Sequence, residues 1–437
     1  MNIKTNFSWM ILVTLTVPIL AMAQTPTYQI FTAPSGIASN AGEPSIGADW
    51  KTGKILFQAV LETDRITINP TNPATATWEK VSPVTSSVLT LDPILFTDPT
   101  TGRTFVSELA GVCSLSSFSD DDGANFTPAV GCGVPAGVDH QTIGGGPFAP
   151  AAVPVLPLPV GYQHAVYYCS QAVVDASCAL SIDGGLSYGP AVPIYTLAQC
   201  VGLHGHIKVG PDGTAYVPNK NCGGAQAVIV SMDNGLTWTV HTIPGSTPAD
   251  SDPSVAIGSD NTVYFGWQNG NSHPMVAVSR NHGATWSTPQ DVGTALGVQN
   301  IAFPAMVAGD GDRAALAFLG TTTGGNAQDL VNFTGVWHLF IAHSFNRGSS
   351  WTLVDATPND PVQRGSICLQ GTACGQDRNL LDFIDATVDR QGRVLVGYAD
   401  GCIGLCVSTP PNSFTAIGSI ARQATGKGVF ASFDGSF

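Results

Sequence analysis

A chain of 437 residues is long enough for one large closed architecture or two ordinary domains. Charged residues make up only 11% against a usual ~25%, while 43% hydrophobic content is ample for a core and excludes wholesale disorder. A net charge of -14, from 17 basic and 31 acidic residues, argues against nucleic acid and anionic membranes as partners, because both need a basic footprint.

In chain order, residues 1–23 read as a secretory signal peptide. Lys4 supplies the positive start, residues 9–20 a short apolar run, and Ala21-Met22-Ala23 a small-x-small cleavage site before Gln24. The run is too short for a good membrane span, and no later segment offers about 20 unbroken apolar residues. A secreted protein, extracellular or periplasmic, is expected. Residues 27–31 read as one short strand that completes the last repeat unit of the chain.

Seven units come next. They open at Glu43-Pro44-Ser45-Ile46, Asp92-Pro93-Ile94-Leu95, Asp139-His140-Gln141-Thr142, His204-Gly205-His206-Ile207, Asp252-Pro253-Ser254-Val255, Phe303-Pro304-Ala305-Met306 and Asp385-Ala386-Thr387-Val388. Five units carry a later box, Ser-x-Asp/Asn-x-Gly-x-x-aromatic. The copies are Ser119-Asp121-Gly123-Phe126, Ser181-Asp183-Gly185-Tyr188, Ser231-Asp233-Gly235-Trp238, Ser279-Asn281-Gly283-Trp286 and Ser344-Asn346-Gly348-Trp351. The box is hairpin-turn chemistry: Asp or Asn accepts N–H bonds within its own turn, and Gly supplies positive φ. A repeat of about 50 residues holding about four short strands predicts a radial array. The expectation is an all-β, seven-bladed β-propeller over residues 24–437, one domain and a monomer; six blades with one inserted unit is the alternative. Insertions fall at 147–160, 320–332 and 355–381. Ten cysteines form sequence-near couples, Cys113/Cys132, Cys169/Cys178, Cys200/Cys222, Cys368/Cys374 and Cys402/Cys406, which read as five local disulfides of an oxidising compartment.

The box resembles the Asp-box, or BNR repeat, of the sialidase superfamily, and the resemblance runs through nearly the whole mature chain. It implies boxes with a structural role on the blade periphery and, for activity, an exo-α-sialidase-like glycoside hydrolase. Sialidases carry an Arg-Ile-Pro motif early in the chain, three arginines for the substrate carboxylate, an Asp acid/base and a Tyr–Glu nucleophile pair. Here the early position reads Glu43-Pro44-Ser45-Ile46, without arginine. Only Arg364 and Arg378 look well placed for a ligand, so an arginine triad is not evident.

Aligning the unit openings places Glu43, Asp92, Asp139, His204, Asp252, Phe303 and Asp385 around one mouth of the central channel. Five carboxylates there offer acid/base pairs, a Ca²⁺-like ion site or hydrogen bonds to sugar hydroxyls. Asp139, His140, His204, His206 and Asp385 are the catalytic candidates, with Asp139 or Asp385 as acid/base. Arg378, Asp382, Glu43, Asp92 and Asp252 are the substrate-binding candidates, and an Arg378 ion pair with Asp382 or Asp385 is the plain alternative. Trp267, Tyr168 and Trp337 are either sugar-stacking faces or blade core. The expected function is binding and cleavage of extracellular glycans at this mouth. The alternatives are a non-catalytic glycan- or protein-binding propeller and a polysaccharide lyase.

Overall fold

A computed structural model describes residues 1, 25–87, 92–110, 114–130, 139–150, 161–172 and 175–437. Residues 2–24, which cover nearly all of the segment read as a signal peptide, and the Cys113/Cys132 couple lie outside them. The described residues form seven antiparallel sheets, six of four strands and one of five, and their only helical pieces are short 3-10 turns. The innermost strands are Ser45–Ala48, Pro93–Thr97, Asp139–Gly146, Lys208–Val209, Ser254–Ile257, Asn300–Ala308 and Asp385–Val388. Each touches the next, and the last touches the first, so the sheets close a seven-bladed β-propeller. The six-bladed alternative falls.

The seventh sheet takes its outer strand from the other end of the sequence. Thr27–Thr32 pairs antiparallel with Ile417–Thr425, as the short segment at 27–31 led one to expect. No helix of the described residues is long and apolar enough to cross a membrane.

The five boxes make one hydrogen-bond set. In the third copy the Ser231 hydroxyl donates to Asp233 Oδ1 at 2.9 Å, Gly235 N–H donates to Ser231 Oγ at 2.9 Å, and Thr237 N–H donates to Asp233 Oδ1 at 2.9 Å. The other four repeat these bonds around Ser119, Ser181, Ser279 and Ser344. The box glycine must reach φ of +75° to +87°, and it presses on the preceding blade: a Cβ on Gly235 would meet Tyr167, and one on Gly283 would meet Val228. A local turn thereby also sets the spacing between blades.

Apolar side chains of adjacent sheets fill the wedges between blades. Trp267, Tyr168 and Trp337 belong to this packing, at 0%, 0% and 1% exposure, which removes them as sugar-stacking faces. Four of the cysteine couples are disulfide-bonded as the spacing implied: Cys169–Cys178, Cys200–Cys222, Cys368–Cys374 and Cys402–Cys406. They fit an oxidising compartment.

Candidate functional site at the axial mouth

Strand register fixes which residues share a level of the channel. Ser45, Ser254 and Asp385 each open a four-residue inner strand and pair with equivalent positions, Gln58, Gly266 and Gly397. A side chain at this level accepts an N–H from the next blade. Asp385 Oδ2 takes Ile46 N at 3.1 Å, Ser254 Oγ takes Met306 N at 2.9 Å, and Thr142 Oγ1 takes Ile207 N at 3.1 Å. The outer ring therefore lies two residues earlier in each of these blades, and its seven members are Glu43, Asp92, His140, His204, Asp252, Phe303 and Phe383. Glu43, His140 and Phe303 all adopt positive φ, at 54°, 47° and 59°.

This corrects two of the seven assignments. Asp139 yields its place to His140, because the register shifts between Asp139 and Gln141 and turns His140 inward. Asp385 stands one level deeper, and Phe383 occupies its expected position. Glu43, Asp92, His204 and Asp252 lie within electrostatic reach of His140, and Phe303 is buried in the core.

Around the ring, charges are paired in a chain. His140 Nε2 bonds Asp252 Oδ2, and Lys220 Nζ lies 3.0 Å from Asp252 Oδ1. His140 N–H donates to both Asp92 Oδ2, at 2.8 Å, and Asp139 Oδ1, at 3.0 Å. Burial alone would depress the pKa of His140, yet Asp252, Asp139 and Asp92 outweigh it and hold the imidazolium well above its usual range. For Asp252 burial is likewise overcome, by His140 and Lys220, and its pKa lies below the carboxylate range. His204, 6.0 Å from His140 between ring centroids, is held down to about 4 by burial and then by the His140 charge. Glu43 is raised well above its ordinary value by burial first, then by Asp92 and Asp382. Burial pushes Asp92 up to about 6 against the pull of His140, whereas the hydrogen bond to His140 lowers Asp139.

Arg378 spends its fork on Asp382, with two bonds of 2.6 and 2.7 Å. The ion-pair alternative is what forms, with Asp382 as its partner. Arg364 is also occupied, on the Cys406 and Val407 carbonyls at 2.5 and 2.9 Å. Ligand atoms of Asp92, Asp139 and His140 lie within 4.8 Å of one another, close enough to share an ion. Among the described residues, four buried atoms at the mouth have no hydrogen-bond partner: Glu43 Oε2, His140 Nδ1, His204 Nε2 and Asp252 Oδ1, the last met by Lys220 as an ion pair.

One level down, His206 and Asp385 face each other from the fourth and seventh blades, with Nδ1 to Oδ1 at 3.9 Å, and Phe383 packs edge-on against His206 at 4.6 Å. Gly205 makes this possible, because a Cβ there would run into the Pro253 carbonyl. The pair bridges the channel. Below it a cavity of about 700 Å³ is lined by Ile46, Ile94, Ile143, Ile207 and Ala386 and reaches Trp50 and Phe430 at the opposite face. His206 and Asp385 line this cavity as well, so the ten candidates divide into a mouth set and an inner pair.

Sequence reasoning missed Lys220. It stands in the strand Ala215–Cys222, where the register shifts between Asn219 and Cys222 and His204 bridges to Asn219. The available signal was a lysine two residues from a bridged cysteine, in a chain poor in charge.

No protein-family model matches the chain, and no curated protein matches it. Among solved structures it is similar to a protein of unknown function from Dyadobacter fermentans DSM 18053, at 14% identity, covering 90% of this chain and 98% of that one, with a TM-score of 0.44. It is similar to the Hadza microbial sialidase Hz136 at 14% identity, over 87% of this chain and 65% of that one, with a TM-score of 0.42. The Aleuria aurantia lectin matches at 13% identity, over 71% and 94%, with a TM-score of 0.43. Likeness this distant assigns no activity; the propeller rests on the seven sheets themselves.

Proposed function

We propose that the mouth binds carbohydrate and that it takes neutral sugars. One observation carries the reading: among the described residues every cation of the mouth is already paired, while carboxylates remain in surplus. Arg378 is held by Asp382, and both His140 and Lys220 by Asp252. Asp139 is the more open carboxylate, with 54% of its side chain exposed, while Asp382 and its partner Arg378 are alike at 23% and 24%. Carboxylates at such a rim accept strong hydrogen bonds from sugar hydroxyls. They repel a sialic or uronic carboxylate, for which a free guanidinium would be needed, so sialidase and lyase chemistry are disfavoured.

A second reading is hydrolysis of the bound glycan, favoured by Glu43 and Asp382. A carboxyl kept protonated by burial, beside a carboxylate held by an arginine, is an acid-and-base arrangement suited to glycoside cleavage. Glu43, and neither Asp139 nor Asp385, is then the acid. The test is a binding panel of neutral glycans, sialosides and polyuronates on the purified protein, with mass spectrometry of the supernatants. Retention of neutral glycans that Asp382→Asn weakens supports the reading. Preference for acidic glycans, or no retention at all, overturns it. Product formed by the native chain and absent with Glu43→Gln makes it a hydrolase; retention without product makes it a binding protein.

A further inference from the structure

We propose that Asp92, Asp139 and His140 form a site for a divalent transition-metal ion of the zinc or manganese class, seated in the wall of the mouth. The three side chains bring one ligand atom each to within 4.8 Å of the others. Two carboxylates alone would be an ordinary acidic patch. The independent observation is His140, 9% exposed, whose buried Nδ1 has no hydrogen-bond partner and lies 3.6 Å from Asp139 Oδ1. That is too long for a hydrogen bond, and it leaves room for an ion between them.

The far side of the same ring supports the assignment. His140 Nε2 is bonded to the Asp252 carboxylate, and Lys220 holds Asp252 in turn. A carboxylate behind a histidine fixes ring orientation and strengthens the opposite nitrogen as a ligand, an arrangement that recurs at metal centres. The backbone contributes too. His140 N–H donates to one oxygen of Asp92 and one of Asp139, which orients both carboxylates around the imidazole. Binding of an ion there releases any proton that Nδ1 carries.

Donor chemistry selects the metal. Calcium and magnesium take oxygen ligands, whereas an imidazole with carboxylates suits zinc or manganese. A Ca²⁺-like ion, one of the three options the mouth carboxylates offered, suits this histidine-containing donor set less well. Three protein ligands leave a position open for water or for a ligand hydroxyl.

The experiment needs no glycan, so its result is independent of the carbohydrate reading. The full mature chain is stripped with EDTA and titrated calorimetrically with Zn²⁺, Mn²⁺ and Ca²⁺ in separate runs. One tight equivalent of Zn²⁺ or Mn²⁺ is expected, with Ca²⁺ far weaker. His140→Gln should abolish it, and Asp252→Asn should weaken it by about 10–100-fold through loss of the supporting carboxylate. Because His140 and Asp252 are buried, Asp139→Asn, on a half-exposed side chain, serves as the variant whose fold is least at risk, with circular dichroism confirming each variant. A Co²⁺-loaded chain adds a visible spectrum that must vanish in Asp139→Asn. Absence of Zn²⁺ and Mn²⁺ binding, affinity unchanged in folded Asp139→Asn, or Ca²⁺ binding as tight as Zn²⁺ would each overturn the proposal.

Discussion

The turn boxes and the axial mouth are both built around small polar and acidic side chains, and they use them in opposite ways. In the boxes a Ser hydroxyl and an Asp or Asn oxygen meet N–H donors of their own turn, and five copies do so alike. At the mouth the ring positions hold four kinds of side chain, Glu, Asp, His and Phe, and Glu43, His140, His204 and Asp252 keep buried atoms without hydrogen-bond partners. Repetition marks where the chain serves its own stability. Departure from it marks where another demand has shaped the chain.

The comparison breaks most readily at Asp252. Asp252→Ala strands His140 and Lys220 without their shared anion, and loss of one partner from a buried pair costs about 3–5 kcal/mol. Chemical denaturation should register that fall. A loss below about 1 kcal/mol would mean that solvent relieves the pair, and that the mouth is wetter than its burial implies.

Next in size is a box. Ser231→Ala leaves the buried Gly235 N–H without its acceptor, at a cost of about 1–3 kcal/mol. The equivalent Ser279→Ala on the next blade should add to it nearly in full if the boxes are independent turns. Marked non-additivity in the double variant would instead show the boxes acting as one belt.

Acidity separates the two regions by sign. Asp233 has a lowered pKa: burial opposes this, but the Thr237 hydroxyl and amide prevail. Its contribution is present above the ordinary carboxylate pKa and is lost as pH falls through the lowered value. Glu43 has a raised pKa, so its contribution is present at low pH and is lost as pH climbs through the raised value. Melting temperature measured across pH on metal-free protein should therefore lose part of its acid limb in Asp233→Asn and part of its alkaline decline in Glu43→Gln. Identical profiles for the two variants would erase the distinction.

The smallest effect belongs to a charge on the boxes' outer surface. Arg347 pairs with Asp260 at 2.6 Å, both partly exposed, and Arg347→Ala should change stability by about 0–1 kcal/mol. A larger loss would show that peripheral charge contributes more than solvent screening allows.

Much of this molecule was legible beforehand, for reasons that differ by region. A box is read within eight residues, because its bonds close inside one turn. Seven blades follow by counting. The mouth was legible to within two residues. Glu43, Asp92 and Asp252 could be aligned on the proline after each, but a bulge at Asp139 and the long insertion before Asp385 carry no such mark. Both shifts are settled by ladder pairing, which is a non-local property. The partner of Lys220 was hidden for the same reason: it reaches Asp252 from a neighbouring blade, and the nearby cysteine marks the lysine without naming that partner.

The pairing of Thr27–Thr32 with Ile417–Thr425 has a consequence in time. Thr27 and Thr425 join hydroxyls at 2.7 Å across 398 residues of sequence. The first of the described strands must wait, with its edge unsatisfied, for the last of them. Six blades can assemble as the chain emerges, but the ring stays open until that strand arrives, and long-range closure of this kind is slow. Until that strand is in place the wheel has a gap in its rim, and the latch that fills it joins residues 398 apart in the chain.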